Sequence, residues 1–416
     1  MLRARAWSVA LLAAAATAPA CGGVSRLERR RDAGATDAAE PDAGPSDGGD
    51  GELRGNVASV VAGGHHACVL WRDGRVSCWG RNDTGQLGDG TTLNRSTPTQ
   101  VIELPTAVSV AAYDRFTCAV VKDGTVRCWG STDQQRLGSV TADPDPPWLS
   151  QPVTVPGVTD AFGLSRGSTA GHVCALTTRW LYCWGPNEFS QLAQGSASSS
   201  AGPAAATGGC CPVAASGSIA NGCIVNESGF VACAGTSPGN AQKTGVSVFT
   251  LVPNIDDVRA VAAGLNFACA LRTNGTVACW GANSDGELGD GTDQEALEPV
   301  DVDGLERVTK LAAGAHHVCA LLDSGTVSCW GRNLQGELGN GTTEQANRPV
   351  AVLEHPAPAP RALEGVVDIA AGNEETCAVV ASSYVYCWGS NRYGQLGPYA
   401  TEEQSPWPIK VIDTFR

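Results

Sequence analysis

Apolar residues run through this chain in short stretches cut by Gly, Asp and Pro, and the stretches recur. In the first unit Ala67-Cys68-Val69-Leu70-Trp71 and Val76-Ser77-Cys78-Trp79-Gly80 flank the turn Arg72-Asp73-Gly74. Asp followed by Gly suits a three-residue hairpin loop whose last member is left-handed. An apolar strand leads into the hairpin, as at Val261-Ala262-Ala263-Gly264. A tight turn follows it, reading GQLG at 85–88 and 394–397 and GELG at 286–289 and 336–339. Short strands such as Pro299-Val300-Asp301-Val302 and Pro349-Val350-Ala351-Val352 come next. No helical periodicity competes, so the unit is strand and turn throughout.

The cysteines count the units. The pair Cys68 and Cys78 recurs as Cys118 and Cys128, Cys174 and Cys183, and Cys223 and Cys233. It recurs again as Cys269 and Cys279, Cys319 and Cys329, and Cys377 and Cys387. Counting outward from the closing pair 71/75, Cys68 falls opposite Cys78 at a non-hydrogen-bonded site. Such sites bring Cα atoms to about 4.5 Å, within disulfide range. In the third unit the turn has lost one residue, and a two-residue turn at Thr178-Arg179 still sets Cys174 opposite Cys183. The spacing thus predicts seven cross-strand disulfides, each worth roughly 2.8 kcal/mol in the chain-entropy model. Zinc ligands come in closer clusters than single cysteines on opposed strands. Seven units of four short strands describe an all-β, seven-bladed β-propeller. The last apolar strand, around Pro408-Ile409-Lys410-Val411, is expected to pair back into the first blade and close the ring.

The pattern AAG-x-x-H-x-CAL-x-x-(D/N/S)GTV-x-CWG-x-N-x-x-G-(Q/E)-LG-(D/N)GT, clearest at 261–292 and 311–343, resembles the repeat of the regulator of chromosome condensation family. The resemblance covers roughly residues 57 to 415 and implies the same seven-bladed propeller. Units three and four depart from it. Ala193 replaces the last Gly of the turn, Ala234 replaces the Trp, and the turn motif is absent after Cys233.

The N-terminus sets the address. Arg3 and Arg5 precede an apolar run from Ala6 to Ala18, and Ala18-Pro19-Ala20 offers a cleavage site, so residues 1–20 read as a secretory signal peptide. The run is too short to span a bilayer, and no later segment is long enough. Cys21-Gly22-Gly23 resembles the start of a bacterial lipoprotein, despite the unusual Pro19, which makes Cys21 the expected lipid anchor. The resemblance favours an outer-membrane or cell-surface location, with a periplasmic or secreted soluble protein as the alternative. Residues 21–55, rich in Asp, Ala, Gly and Pro, read as the anchor and a disordered tether; residues 56–416 are the propeller.

Charge narrows the partners. The chain carries a formal charge of −14, and residues beyond 56 hold 34 acidic and 21 basic groups. Nucleic acid is disfavoured, because counterion release needs clustered Lys and Arg.

Candidate chemistry is sparse. His66, His172 and His317 sit two before the first Cys, where other units have Phe116, Asn221, Phe267 and Glu375. A position that accepts Phe is read as structural. His65, His316 and His355 have no repeated context. The Trp after the second Cys recurs at Trp79, Trp129, Trp184, Trp280, Trp330 and Trp388 and reads as packing between blades. Asp89 and Asp290 in the Gly-Asp-Gly-Thr turns lack the layout of a calcium loop. No nucleophile elbow, phosphate loop or zinc-protease helix is present, and no cofactor, catalytic residue or metal ligand is assigned.

The sequence therefore predicts an exported, lipid-anchored, monomeric, non-enzymatic scaffold offering a propeller face to a protein or cell-envelope glycan, touching the membrane through the anchor alone. Partner contacts are expected on the insertions Ser139 to Ser150, Gly195 to Pro212 and Leu353 to Ala362, with Trp148, Tyr399 and Trp407 in loop-like contexts as aromatic anchors. Cys210 and Cys211 pair with each other or clip their loop elsewhere. An envelope lyase or hydrolase is the second class. Nuclear family members exchange nucleotide on a small GTPase and bind chromatin; the signal peptide, disulfides and acidic surface argue against that here. Secreted bacterial propellers of this type include β-lactamase inhibitors, which fits the address, although no contact residues carry over.

Overall fold

The computed structural model describes residues 57–138, 147–198, 200–236, 246–354, 360–381 and 384–412. The expected signal peptide, Cys21, the tether, most of the insertion 139–150 and His355 lie outside them. Seven four-stranded antiparallel sheets form the blades of a propeller. Blade 1 comprises Val57–Ala62, His66–Trp71, Val76–Gly80 and Arg95–Gln100, numbered here from the inner strand to the outer one. Blades 2 to 7 repeat it over 107–155, 161–210, 212–251, 258–301, 308–351 and 366–412.

The hairpin register follows the cysteines. Cys68 faces Cys78, and in the shortened blade 3 Cys174 faces Cys183. The other five blades set Cys118 against Cys128, Cys223 against Cys233, Cys269 against Cys279, Cys319 against Cys329 and Cys377 against Cys387. All seven pairs are disulfide-bonded, in the pairing that the spacing predicts, with Cα atoms 4.0–4.1 Å apart. That separation is slightly closer than the ideal ladder spacing of about 4.5 Å. The cysteines are buried in the blade-to-blade core.

Two expectations about the chain path are corrected. The C-terminal strand Gln404–Ile412 pairs with the third strand of its own blade, not with blade 1. Blade 1 already owns four strands, because every outer strand folds back antiparallel onto its own hairpin and leaves no vacancy. The ring closes instead by packing: Val57, Val60 and Ala62 meet Val379, Val385 and Val411. Hydrogen bonds cross the same joint, from Trp79 Nε1 to the Gln395 carbonyl (2.9 Å) and from the Val60 amide to Asp368 (3.0 Å). The supposed loop Gly195 to Pro212 is largely the eleven-residue outer strand of blade 3, Ser200–Cys210. Its Ala- and Gly-rich composition hides a strand whose pairing is set by its neighbour.

One asparagine organises the turn after the third strand in five of the seven blades. Asn82 Oδ1 accepts from the Leu87 amide, and Asn82 Nδ2 donates to the Thr91 and Leu93 carbonyls. Asn187, Asn283, Asn333 and Asn391 repeat the arrangement. Asp89 and Asp290 serve the same turns, accepting from the amides and hydroxyls of Thr91 and Thr292.

Candidate binding face

The joints between blades are built from recurring side chains. The ring N–H of Trp129 donates to the Gln86 carbonyl in the turn of blade 1, and Trp184, Trp330, Trp388 and Trp79 bond in the same way to Arg136, Glu287, Glu337 and Gln395. At four of these joints the last glycine of the turn lies under that ring: a Cβ on Gly88, Gly138, Gly289 or Gly339 would stand 2.7–2.8 Å from the next blade's indole nitrogen. All four also have φ between 60° and 69°. Both the close approach and the dihedral require glycine.

The histidines belong to these joints as well. His66 and His317 are buried under Gly63 and Gly314, and their Nε2 atoms meet Thr117 and Thr376 of the next blade at 2.8 and 2.9 Å. Each threonine hydroxyl already donates to a turn carbonyl, of Gln86 or Glu337. Each imidazole must therefore donate through Nε2–H, leaving Nδ1 as a bare lone pair. Burial holds His66 and His317 at about 3 and His172 at about 4, so all three are neutral and structural. In blade 7 Glu375 takes this position under Gly372. Burial, reinforced by Glu374 and Glu337, pushes its carboxyl well above the ordinary value.

The inner strands surround a narrow apolar channel of about 50 Å³, lined by Val60, Ala112, Val261, Ala312 and Ile369 among others. At the hairpin-turn end it adjoins a concavity of about 370 Å³ lined by residues of blades 2 to 6. Phe162, Val213 and Ala214 form one wall of that concavity; Arg166 and Lys310 bring positive charge to it. The Lys310 ammonium is paired with Asp368, which also accepts the Val60 amide, and burial holds that ammonium down at about 8.

Large exposed apolar side chains gather on the same two blades. Phe162 and Val213 stand at the second position of the inner strand, where blades 2 and 7 also expose Val108 and Val367 but blades 5 and 6 have Arg259 and Thr309. Trp180 and Phe230 stand at hairpin turns, and Leu251 ends the outer strand of blade 4 at the same end of the molecule. The antiparallel topology puts all five at the hairpin-turn end of the ring.

The three aromatic residues singled out in sequence do not share this place. Trp148 opens the outer strand of blade 2, half-buried and opposite Ser131. Trp407 lies in the outer strand of blade 7, where its ring covers Gly341 of blade 6. Only Tyr399 sits in a turn, and it is half exposed. Trp148 and Trp407 read as loop residues because neighbouring Pro residues mask the strands. The position of Phe162 and Val213 is apolar in blades 2 and 7 as well, as Val108 and Val367, so the inner-strand pattern alone does not single out blades 3 and 4.

Comparison with known proteins accounts for this division. Models of the regulator of chromosome condensation (RCC1) repeat match residues 73–120, 274–321 and 324–379, and a second form of that repeat matches 57–86, 107–134, 258–287, 308–337 and 366–395. Together they cover more than half of the chain and leave 135–257 unmatched. Among solved structures, human WBSCR16 superposes with a TM-score of 0.71 at 19% identity, over 82% of this chain and 95% of that one. Prp20p from Saccharomyces cerevisiae does so with a TM-score of 0.65 at 20% identity, over 76% and 80%. With five of seven blades matched in sequence and the ring matched in fold, this chain belongs to the RCC1 repeat family.

Proposed function

We propose that this protein is a non-enzymatic scaffold that binds a protein partner on the hairpin-turn end of blades 3 and 4. One observation carries the reading: exposed Phe162, Trp180, Val213, Phe230 and Leu251 gather on the part of the ring that departs from the family repeat. Apolar side chains left in water on a rigid scaffold mark association surfaces. The work on Prp20p concerned its binding to Gsp1p and histones, so a protein partner suits the fold. The acidic surface of this chain argues for a different one.

The scaffold is exported and held by a lipid on Cys21. The signal-like residues 1–20, the cysteine after them and seven cross-strand disulfides support this reading. Mass spectrometry without reduction is expected to show seven linked pairs, and fourteen free thiols would remove the export argument. Cys21→Ser is expected to release the protein from the membrane fraction.

The binding face is tested by capture from envelope extracts at mild salt. The parent is expected to retain one stoichiometric protein, and the Phe162→Asp/Val213→Asp variant to lose it at least tenfold. Leu334→Asp, an exposed apolar position on blade 6, is expected to leave capture intact. Equal capture by all three proteins, or none by the parent, would overturn the assignment.

A further inference from the structure

Three ligand-bearing side chains converge at the joint of blades 5 and 6, at the opposite end of the ring from the hairpin turns. Glu287 belongs to the Gly-Glu-Leu-Gly turn of blade 5, Asp285 precedes it by two residues, and His316 precedes the second strand of blade 6. His316 Nδ1 lies 3.3 Å from Glu287 Oε1 and 3.5 Å from Asp285 Oδ2. All three ligand atoms fall within 4.8 Å of one another.

The backbone of the cluster is held from several sides. Trp330 Nε1 donates to the Glu287 carbonyl at 2.8 Å, the Arg332 amide donates to the His316 carbonyl at 2.8 Å, and the Asp285 amide donates to Glu287 Oε2 at 2.8 Å. That last bond leaves Glu287 Oε1 facing the imidazole. Glu287 is 1% exposed, whereas Asp285 and His316 are partly open to solvent. A buried carboxylate is thus presented to a place that solvent ions reach.

The next joint around the ring shows what this place requires. Glu337 is the equivalent buried carboxylate of blade 6, and Arg332 lies between it and Glu374 of blade 7, with contacts of 3.7 and 3.1 Å. In blade 5 the position of Arg332 is Ala282. Among the described residues no lysine or arginine pairs with Asp285 or Glu287. Burying a carboxylate without a compensating charge is costly. The joint has lost its built-in cation and gained an imidazole where blade 7 has Glu374.

We propose that Asp285, Glu287 and His316 bind one divalent transition metal ion of the zinc class. One imidazole nitrogen and two carboxylate oxygens suit such an ion better than calcium or magnesium, which take oxygen ligands. The two separations from His316 Nδ1, 3.3 and 3.5 Å, agree with this choice. Tetrahedral zinc with bonds of about 2.0–2.2 Å places its ligand atoms about 3.3–3.5 Å apart. Three protein ligands leave a position open to water or to a partner's side chain.

The experiment uses the full chain without an affinity tag, stripped with chelator and titrated calorimetrically with Zn²⁺, then with Co²⁺ as a visible-absorption reporter. The expected result is one equivalent of Zn²⁺ and a low-symmetry Co²⁺ band, with affinity reduced at least tenfold in His316→Ala and in Asp285→Asn. Both substituted residues are partly exposed, and the melting curve without metal reports whether each variant is folded. His65→Ala, which removes a partly buried imidazole elsewhere on the ring, is expected to bind like the parent. Zinc binding unchanged in His316→Ala, Ca²⁺ or Mg²⁺ binding as tight as Zn²⁺, or no binding by the parent would overturn the site.

Discussion

Blades 5 and 6 and blades 3 and 4 share one backbone plan and differ in how each joins the next. At the regular joints an indole N–H reaches a turn carbonyl across a glycine. In blade 3 that glycine is Ala193, held at φ 54°, and the indole it would meet in blade 4 is Ala234. Two departures that look independent along the sequence are the two sides of one contact. Blade 4 then lacks the turn motif, and Trp280 Nε1 of blade 5, though fully buried, has no hydrogen-bond partner among the described residues. The irregular arc has given up the joint chemistry and gained exposed apolar side chains. Regularity of a joint and exposure of a surface are thereby separated on one ring.

The largest effect expected from testing this contrast is at the glycine. Gly289→Ala should cost about 2–4 kcal/mol, because it adds a left-handed alanine and drives a methyl into Trp330. Denaturant unfolding measures it, and a cost under about 1 kcal/mol would mean the joint yields. The imidazoles come next. Their folded pKa values lie below the unfolded value of 6.5. Their contribution is therefore complete above about pH 6.5 and falls as pH drops towards 3 for His66 and His317, or 4 for His172. At pH 5 each contributes a loss of up to about 2 kcal/mol. His66→Phe, the residue used in blades 2 and 5, should flatten the pH profile of stability between 6.5 and 4. Glu375 runs the other way. Its raised pKa gives stability below about 4.5 that fades as pH rises through the folded value, so Glu375→Gln should gain most at neutral pH.

Smaller is the difference between two tryptophans. Trp330→Phe and Trp280→Phe remove similar volume, but only the first breaks a hydrogen bond. Trp330→Phe should be the costlier by about 1–2 kcal/mol; equal costs would show that the indole bond is energetically idle. The smallest effect is Ala193→Gly, a gain of at most ~1 kcal/mol by thermal unfolding, since relief of the left-handed residue is offset by glycine's entropy.

Most of this architecture is written locally. Cysteine spacing specifies the hairpin register, and the Gly-x-Leu-Gly turns mark the chain after the third strand in four of the seven blades. The ring joint was harder to read, because an outer strand such as Gln404–Ile412 carries the same alternation whichever sheet it joins. Surface function was least legible. Phe162 and Phe230 sit more than sixty residues apart in sequence, and the Asp285–Glu287–His316 cluster draws on two blades that only the closed ring brings together. His316 stands beside a histidine explained by packing, and its counterpart in blade 1, His65, lies against Tyr393 rather than two carboxylates, so repetition alone does not mark the site.

Because no strand is shared across the joint of blades 7 and 1, each blade is a contiguous, self-contained length of chain. The ring has no privileged starting point: opening it between any two blades and linking the present termini would preserve every sheet. Duplication or loss of one such segment would likewise add or remove a whole blade without changing the register of any other. A ring assembled in whole-number units of this kind lets one arc diverge in surface while the rest keeps its repeat.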